Sequence, residues 1–162
     1  MTWDFVSKAV AITTITMLCS GSLDAAELAK STNVSGGGIQ GENRVKIAIS
    51  IDGRKVVAEL EDSATSRDFL SQLPMTLKFE DYHATEKIGY LPRKLSTSGA
   101  PDGFDPSIGT VAYYAPWGNI AVFYNDFGYS RSLINLGQVV SGLDILTRAS
   151  SFNAKIERVE DD

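Results

Sequence analysis

Reactive side chains are scarce in this sequence. Its 162 residues include one cysteine, Cys19, and one histidine, His83. A single cysteine excludes an intrachain disulfide and any thiolate cluster for structural zinc. Basic residues are outnumbered, 15 lysines and arginines against 20 aspartates and glutamates, for a net charge of −5. That balance lacks the basic face that nucleic-acid phosphates require, so no nucleic-acid partner is expected. Docking to a membrane through a polybasic surface is excluded on the same ground. Long apolar runs are missing too. The most apolar stretch, Ala9 to Cys19, has eleven residues, where a spanning helix needs about twenty.

That short stretch follows Lys8 and precedes the small residues of CSGSLDAA. Charge, apolar core and small-residue end come in the order of a secretory signal peptide. Residues 1–26 are therefore read as a signal peptide, cleaved between Ser22 and Ala26, with a periplasmic or secreted product. Asp4 and the interspersed threonines depart from the usual pattern, and a buried first helix is the competing reading. Removing 26 residues from 162 leaves 136 without Cys19 and moves the net charge from −5 to −4. No stable membrane insertion is expected after cleavage. Residues 27–43 are polar, carry Gly36-Gly37-Gly38 and show no hydrophobic period, so they read as a flexible linker. No strand precedes those glycines and no Lys-Ser/Thr follows, which excludes a phosphate-cradling loop.

Residues 44–160 read as the folded domain. In RVKIAISI, Val45, Ile47, Ile49 and Ile51 recur at every second position, the period of a half-buried strand. Asp52-Gly53 supplies the two positive-φ positions of a tight hairpin turn, and RKVVAELE is the return strand. Ser63 or Thr65 caps a short helix over residues 66–73, which Pro74 ends. Alternation returns in MTLKFEDY, and a short strand follows over residues 86–90. Residues 91–107 hold three prolines and read as a long loop. Strands are expected over 109–114 and 119–124, joined by Ala115-Pro116-Trp117-Gly118. A short strand over 133–136, a turn or two of helix over 142–147 and a last strand over 152–159 complete the set. About eight short strands and two short helices suit a small closed barrel better than an open sheet.

The run GTVAYYAPWGNIAVFYNDFGYSRSLINLGQVVSGLDIL resembles the bacterial cyclophilin-like domain family. The Asp52-Gly53 hairpin, Leu60-Glu61-Asp62, the helix ending at Leu73-Pro74 and EKIGYLP agree with that pattern. The likeness covers roughly residues 44–159. It implies a mainly β fold, a closed barrel of about eight strands with a short helix capping each end. Prolyl isomerases of the cyclophilin type carry a Phe-His-Arg run and a Phe-Met-x-Gln segment. Here His83 sits in Asp81-Tyr82-His83-Ala84, and Phe-Met-x-Gln occurs nowhere. The resemblance thus implies the barrel and withdraws support for the isomerase.

Eight of the fifteen aromatic residues fall between Phe104 and Tyr129. Rings combine large apolar area with a polar edge, so such a cluster can line a cleft, though strand alternation also sends some of them to the core. The candidate ligand-binding residues are Tyr114, Trp117, Phe127, Tyr129 and Arg131. Arg131 has the fork that grips a carboxylate or a carbonyl, and a surface ion pair with Asp126 is its bland alternative. Glu80, Asp81, His83 and Glu86 are acidic and imidazole groups without metal-ligand spacing, so no metal and no cofactor are expected. A serine triad on His83 lacks any Gly-x-Ser-x-Gly context. The expected partner is a peptide segment or a small molecule. A prolyl isomerase with substitute residues and a structural partner of another envelope protein are the alternatives.

Overall fold

The computed structural model describes residues 44–159; the expected signal peptide and the whole of the expected linker lie outside them. Ten strands and two helices follow in chain order among the described residues. They are β1 (Val45–Ile51), β2 (Arg54–Leu60), α1 (Ala64–Leu70), β3 (Met75–Tyr82), β4 (Glu86–Tyr90), β5 (Gly103–Phe104), β6 (Thr110–Tyr114), β7 (Asn119–Phe123), β8 (Ser130–Arg131), β9 (Leu133–Ser141), α2 (Leu143–Leu146) and β10 (Ser151–Arg158). Eight of the strands close a barrel in the order β1-β10-β3-β4-β7-β6-β9-β2, every pair antiparallel. Closure removes the unpaired edges that an open sheet of such short strands leaves exposed. The fold is the mainly β barrel that the sequence predicts.

The hairpin at the start follows its sequence closely. Ile51 pairs with Arg54, and the two residues between them, Asp52 at φ 45° and Gly53 at φ 77°, make the left-handed turn that twisted strands require. Ile47, Ile49, Val56, Ala58 and Leu60 then face the barrel interior, with Leu77, Phe79, Val111, Tyr113, Ile120, Val122, Leu136 and Ile156 from the other strands.

Each end of the barrel is closed by a helix. Ser63 is the N-cap of α1, accepting the Ser66 amide at 3.0 Å, and Phe69 and Leu70 of that helix plug the core. Thr65, the other cap candidate, instead donates to the Ser96 carbonyl at 2.8 Å. The helix ends at Leu70, three residues before the expected limit. At the opposite end α2 packs against the start of β2 and buries Leu146. The long loop is anchored as well: Leu95 is buried, its amide donates to the Tyr113 hydroxyl at 3.1 Å, and Arg93 forks onto Asp68 of α1. Arg93 and the Ser96 amide together pull the Asp68 carboxyl down to about 2.

Two short strands and one long one depart from the sequence expectation. β5 lies inside the expected loop and pairs with β8, each only two residues long, too short to show a period. β9 runs on to Ser141 rather than stopping at Leu136. Gly137 makes that extension possible. Its hydrogen faces the β2 backbone so closely that a Cβ would stand 2.0 Å from the Glu59 carbonyl oxygen. The ladders of β9 with β2 and with β6 both shift register near this point.

Candidate functional site

Alternation along the central strands sorts side chains into two sets. Val111, Tyr113, Ile120 and Val122 enter the barrel, and Ala112, Tyr114, Asn119, Ala121 and Phe123 face outward. Outward positions on a barrel normally meet water, yet Ile88, Ala112, Ala121, Phe123 and Leu133 form a second buried cluster. Tyr82, Tyr114 and Phe104 pack on its margin. Strands β4, β7, β6 and β9 are therefore covered on both faces, the inner by the core and the outer in part by the β5–β8 arm.

A cleft of about 150 Å³ opens on this outer face. Tyr82, Glu86, Tyr114, Asn119, Phe123 and Leu133 line it from the barrel, with Trp117 and Phe127 from the adjoining turn and loop and Ser130 from β8. Trp117 stands edge-on to two tyrosines, 5.4 Å from Tyr82 at 88° and 5.4 Å from Tyr114 at 82°. Phe127 lies 5.8 Å from Phe123. Trp117 and Phe127 are each 45 % exposed, unusual for rings of that size at a surface with no partner.

Two polar groups in the cleft are unmatched. Asn119 is 1 % exposed, and its Oδ1 has no hydrogen-bond partner. A buried polar atom left unpaired costs about 1–3 kcal/mol, so a donor brought into the cleft would relieve that cost. Glu86 has no ion-pair or side-chain hydrogen-bond partner among the described residues, and burial pushes its carboxyl up to about 7. Its neighbour Lys87 points the other way. The Lys87 ammonium, on a side chain 3 % exposed, binds Asp81 at 2.7 Å and the Ala149 carbonyl at 2.8 Å inside one end of the barrel. Tyr124 donates to the same aspartate and lies under that ammonium. Lys87, then Tyr124, hold the Asp81 carboxyl below its usual range.

Of the sequence-derived candidates, Tyr114, Trp117 and Phe127 line the cleft. Tyr129 is 63 % exposed, and its hydroxyl lies against Gly103 on the β5–β8 arm. Arg131 borders a different depression of about 290 Å³ with Thr97, Pro101, Asp102 and Ser132. It makes no ion pair among the described residues, with Asp126 or otherwise. Tyr82, Glu86, Asn119, Phe123 and Leu133 were not among the candidates. One signal for them was present: TVAYY and NIAVF are apolar at nearly every position, as strands covered on both faces are.

A closed antiparallel barrel of eight strands, plugged by a short helix at each end, is a cyclophilin-type barrel. A family model for the Cyclophilin-like family matches residues 49–157, and the chain belongs to that family. No curated protein matches the sequence. Among solved structures, the chain is similar to a hypothetical protein from Archaeoglobus fulgidus, determined in solution, at 16 % identity and a TM-score of 0.58. The match covers 72 % of this chain and 95 % of that one, and at such identity it speaks for the fold alone.

Proposed function

We propose that this chain is an exported cyclophilin-like binding domain whose outer-face cleft takes a peptide segment or a small molecule. The observation that carries the reading is the unpaired, buried Oδ1 of Asn119 at the wall of an aromatic cleft. Apolar rings supply contact area, and a few placed polar groups fix orientation, the usual composition of a ligand site. No arginine lines the cleft among the described residues, which favours binding over isomerisation by a stabilising guanidinium.

The test uses the full chain and a proline-containing tetrapeptide, with binding followed by amide shifts and isomerisation by a coupled assay. The expected result is shifts confined to the cleft residues, weakened by Trp117→Ala with the thermal midpoint nearly unchanged, and no acceleration. Rapid isomerisation would replace this reading with the enzyme. Absence of shifts with this peptide and with a set of small fragments would leave only a structural role beside another envelope protein. Export has its own check: protein recovered from the periplasm is expected to begin after residue 22 to 26, and an intact Met1 in the cytoplasm would overturn it.

A further inference from the structure

We propose that the outer-face cleft receives an organic ammonium group, which its rings surround and Glu86 balances; this rests on the binding reading above. The ring geometry is the first ground. Trp117 meets Tyr82 and Tyr114 at near right angles and equal distance, and all three line the one cleft, so it is bordered by rings in different orientations. The Phe123–Phe127 pair adds a further wall. Ring faces carry negative quadrupole charge and attract a cation held against them, most strongly where water is thinned out.

Charge is the second ground. Among the described residues Glu86 is the only charged one that lines the cleft, so an anionic ligand meets repulsion and a cationic one meets its counter-ion. Among the described residues no lysine or arginine lines the cleft, and Lys87 is committed to Asp81 on the other face of the same strand. The upward pKa of Glu86 agrees with a carboxyl whose counter-ion is still to come. Asn119 then describes the rest of the ligand. Glu86 pairs with Phe123 in the ladder, and Asn119 lies four residues further along β7. At about 3.3 Å per residue, roughly 13 Å of strand separates the two polar ends of the cleft. The ligand is therefore an elongated amine, its ammonium toward Glu86 and a hydrogen-bond donor toward the Asn119 oxygen.

The experiment titrates the full chain with butylammonium, with neutral 1-butanol and with butyrate. The readout is the indole N–H resonance of Trp117, assigned by its loss in Trp117→Leu. Butylammonium is expected to shift it with millimolar half-saturation, butanol about tenfold more weakly and butyrate not at all. Glu86→Gln is expected to take away most of the advantage of butylammonium over butanol, the rings keeping the remainder. Equal response to butylammonium and butanol, or no effect of Glu86→Gln, overturns the ammonium assignment and leaves the cleft as a neutral binding site. A Trp117 resonance unmoved by all three probes, with no shift elsewhere in the cleft, overturns both readings.

Discussion

Replacing Glu86 with glutamine should stabilise the protein at pH 8 and do nothing at pH 4. The carboxyl titrates at about 7 in the fold, against 4.5 for an unperturbed glutamate, because burial disfavours its charge. Below 4.5 both folded and unfolded chains hold the proton, and the group contributes nothing. Between 4.5 and 7 the unfolded chain ionises first, so stability drains from the native protein as pH rises, and above 7 the full cost is present. Full conversion of that difference is on the order of 3 kcal/mol. The side chain is only partly withdrawn from water, and solvent screening roughly halves the figure, to about 1–2 kcal/mol. Glutamine keeps the shape and removes the charge. Thermal midpoints followed by circular dichroism from pH 4 to pH 8.5 should therefore coincide at the acid end. They should separate by several degrees at the alkaline end, with Glu86→Gln the higher. A gap that does not change with pH, or a variant less stable at pH 8, would refute the desolvated carboxylate.

Gly137→Ala should cost on the order of 2–3 kcal/mol or prevent folding, since the new methyl meets the Glu59 carbonyl and β2 must move; an unchanged urea midpoint would show that the strands slide apart freely. Gly53→Val should cost about 1 kcal/mol, a cost of backbone conformation alone because open space surrounds the site; a neutral result would mean the turn readily changes type. Lys87→Met should cost about 3 kcal/mol, because the Asp81 carboxylate loses its ion pair, keeping only Tyr124 and the Ala84 amide, and the Ala149 carbonyl loses its donor. That loss should shrink as pH falls below the usual aspartate range, where the Asp81 charge itself disappears. A Lys87→Met penalty that persists at pH 2 would point to packing instead.

The parts of the fold that were legible in the sequence are those whose information is local. The β1–β2 hairpin shows a period of two on both arms and a turn dipeptide between them, so strand, turn and inward face all follow. The cap of α1 was narrowed to Ser63 and Thr65, and the structure divides the two hydroxyls between the helix and Ser96. Gly137-Gln138 breaks the apolar alternation where β9 bends, so the sequence shows that strand only as far as Leu136. β5 and β8 pair with each other across residues 105–129, and two residues carry no period. The site divides along the same line. Tyr114, Trp117 and Phe127 stood out through the density of aromatics in one segment. Glu86 looked like one of a run of solvated carboxylates, and only the pairing of β4 with β7 carries it to the aromatic face. Apolar residues at nearly every position of β6 and β7 tell that both faces are covered, without telling which ring lies on which side.

The most direct test of the central claim is a crystal structure of the full chain grown with butylammonium. The bound molecule is expected among Tyr82, Trp117 and Phe127, its nitrogen within ordinary ion-pair distance of the Glu86 carboxylate. A butylammonium found only elsewhere, with Trp117 folded down to fill the outer-face cleft, would contradict it.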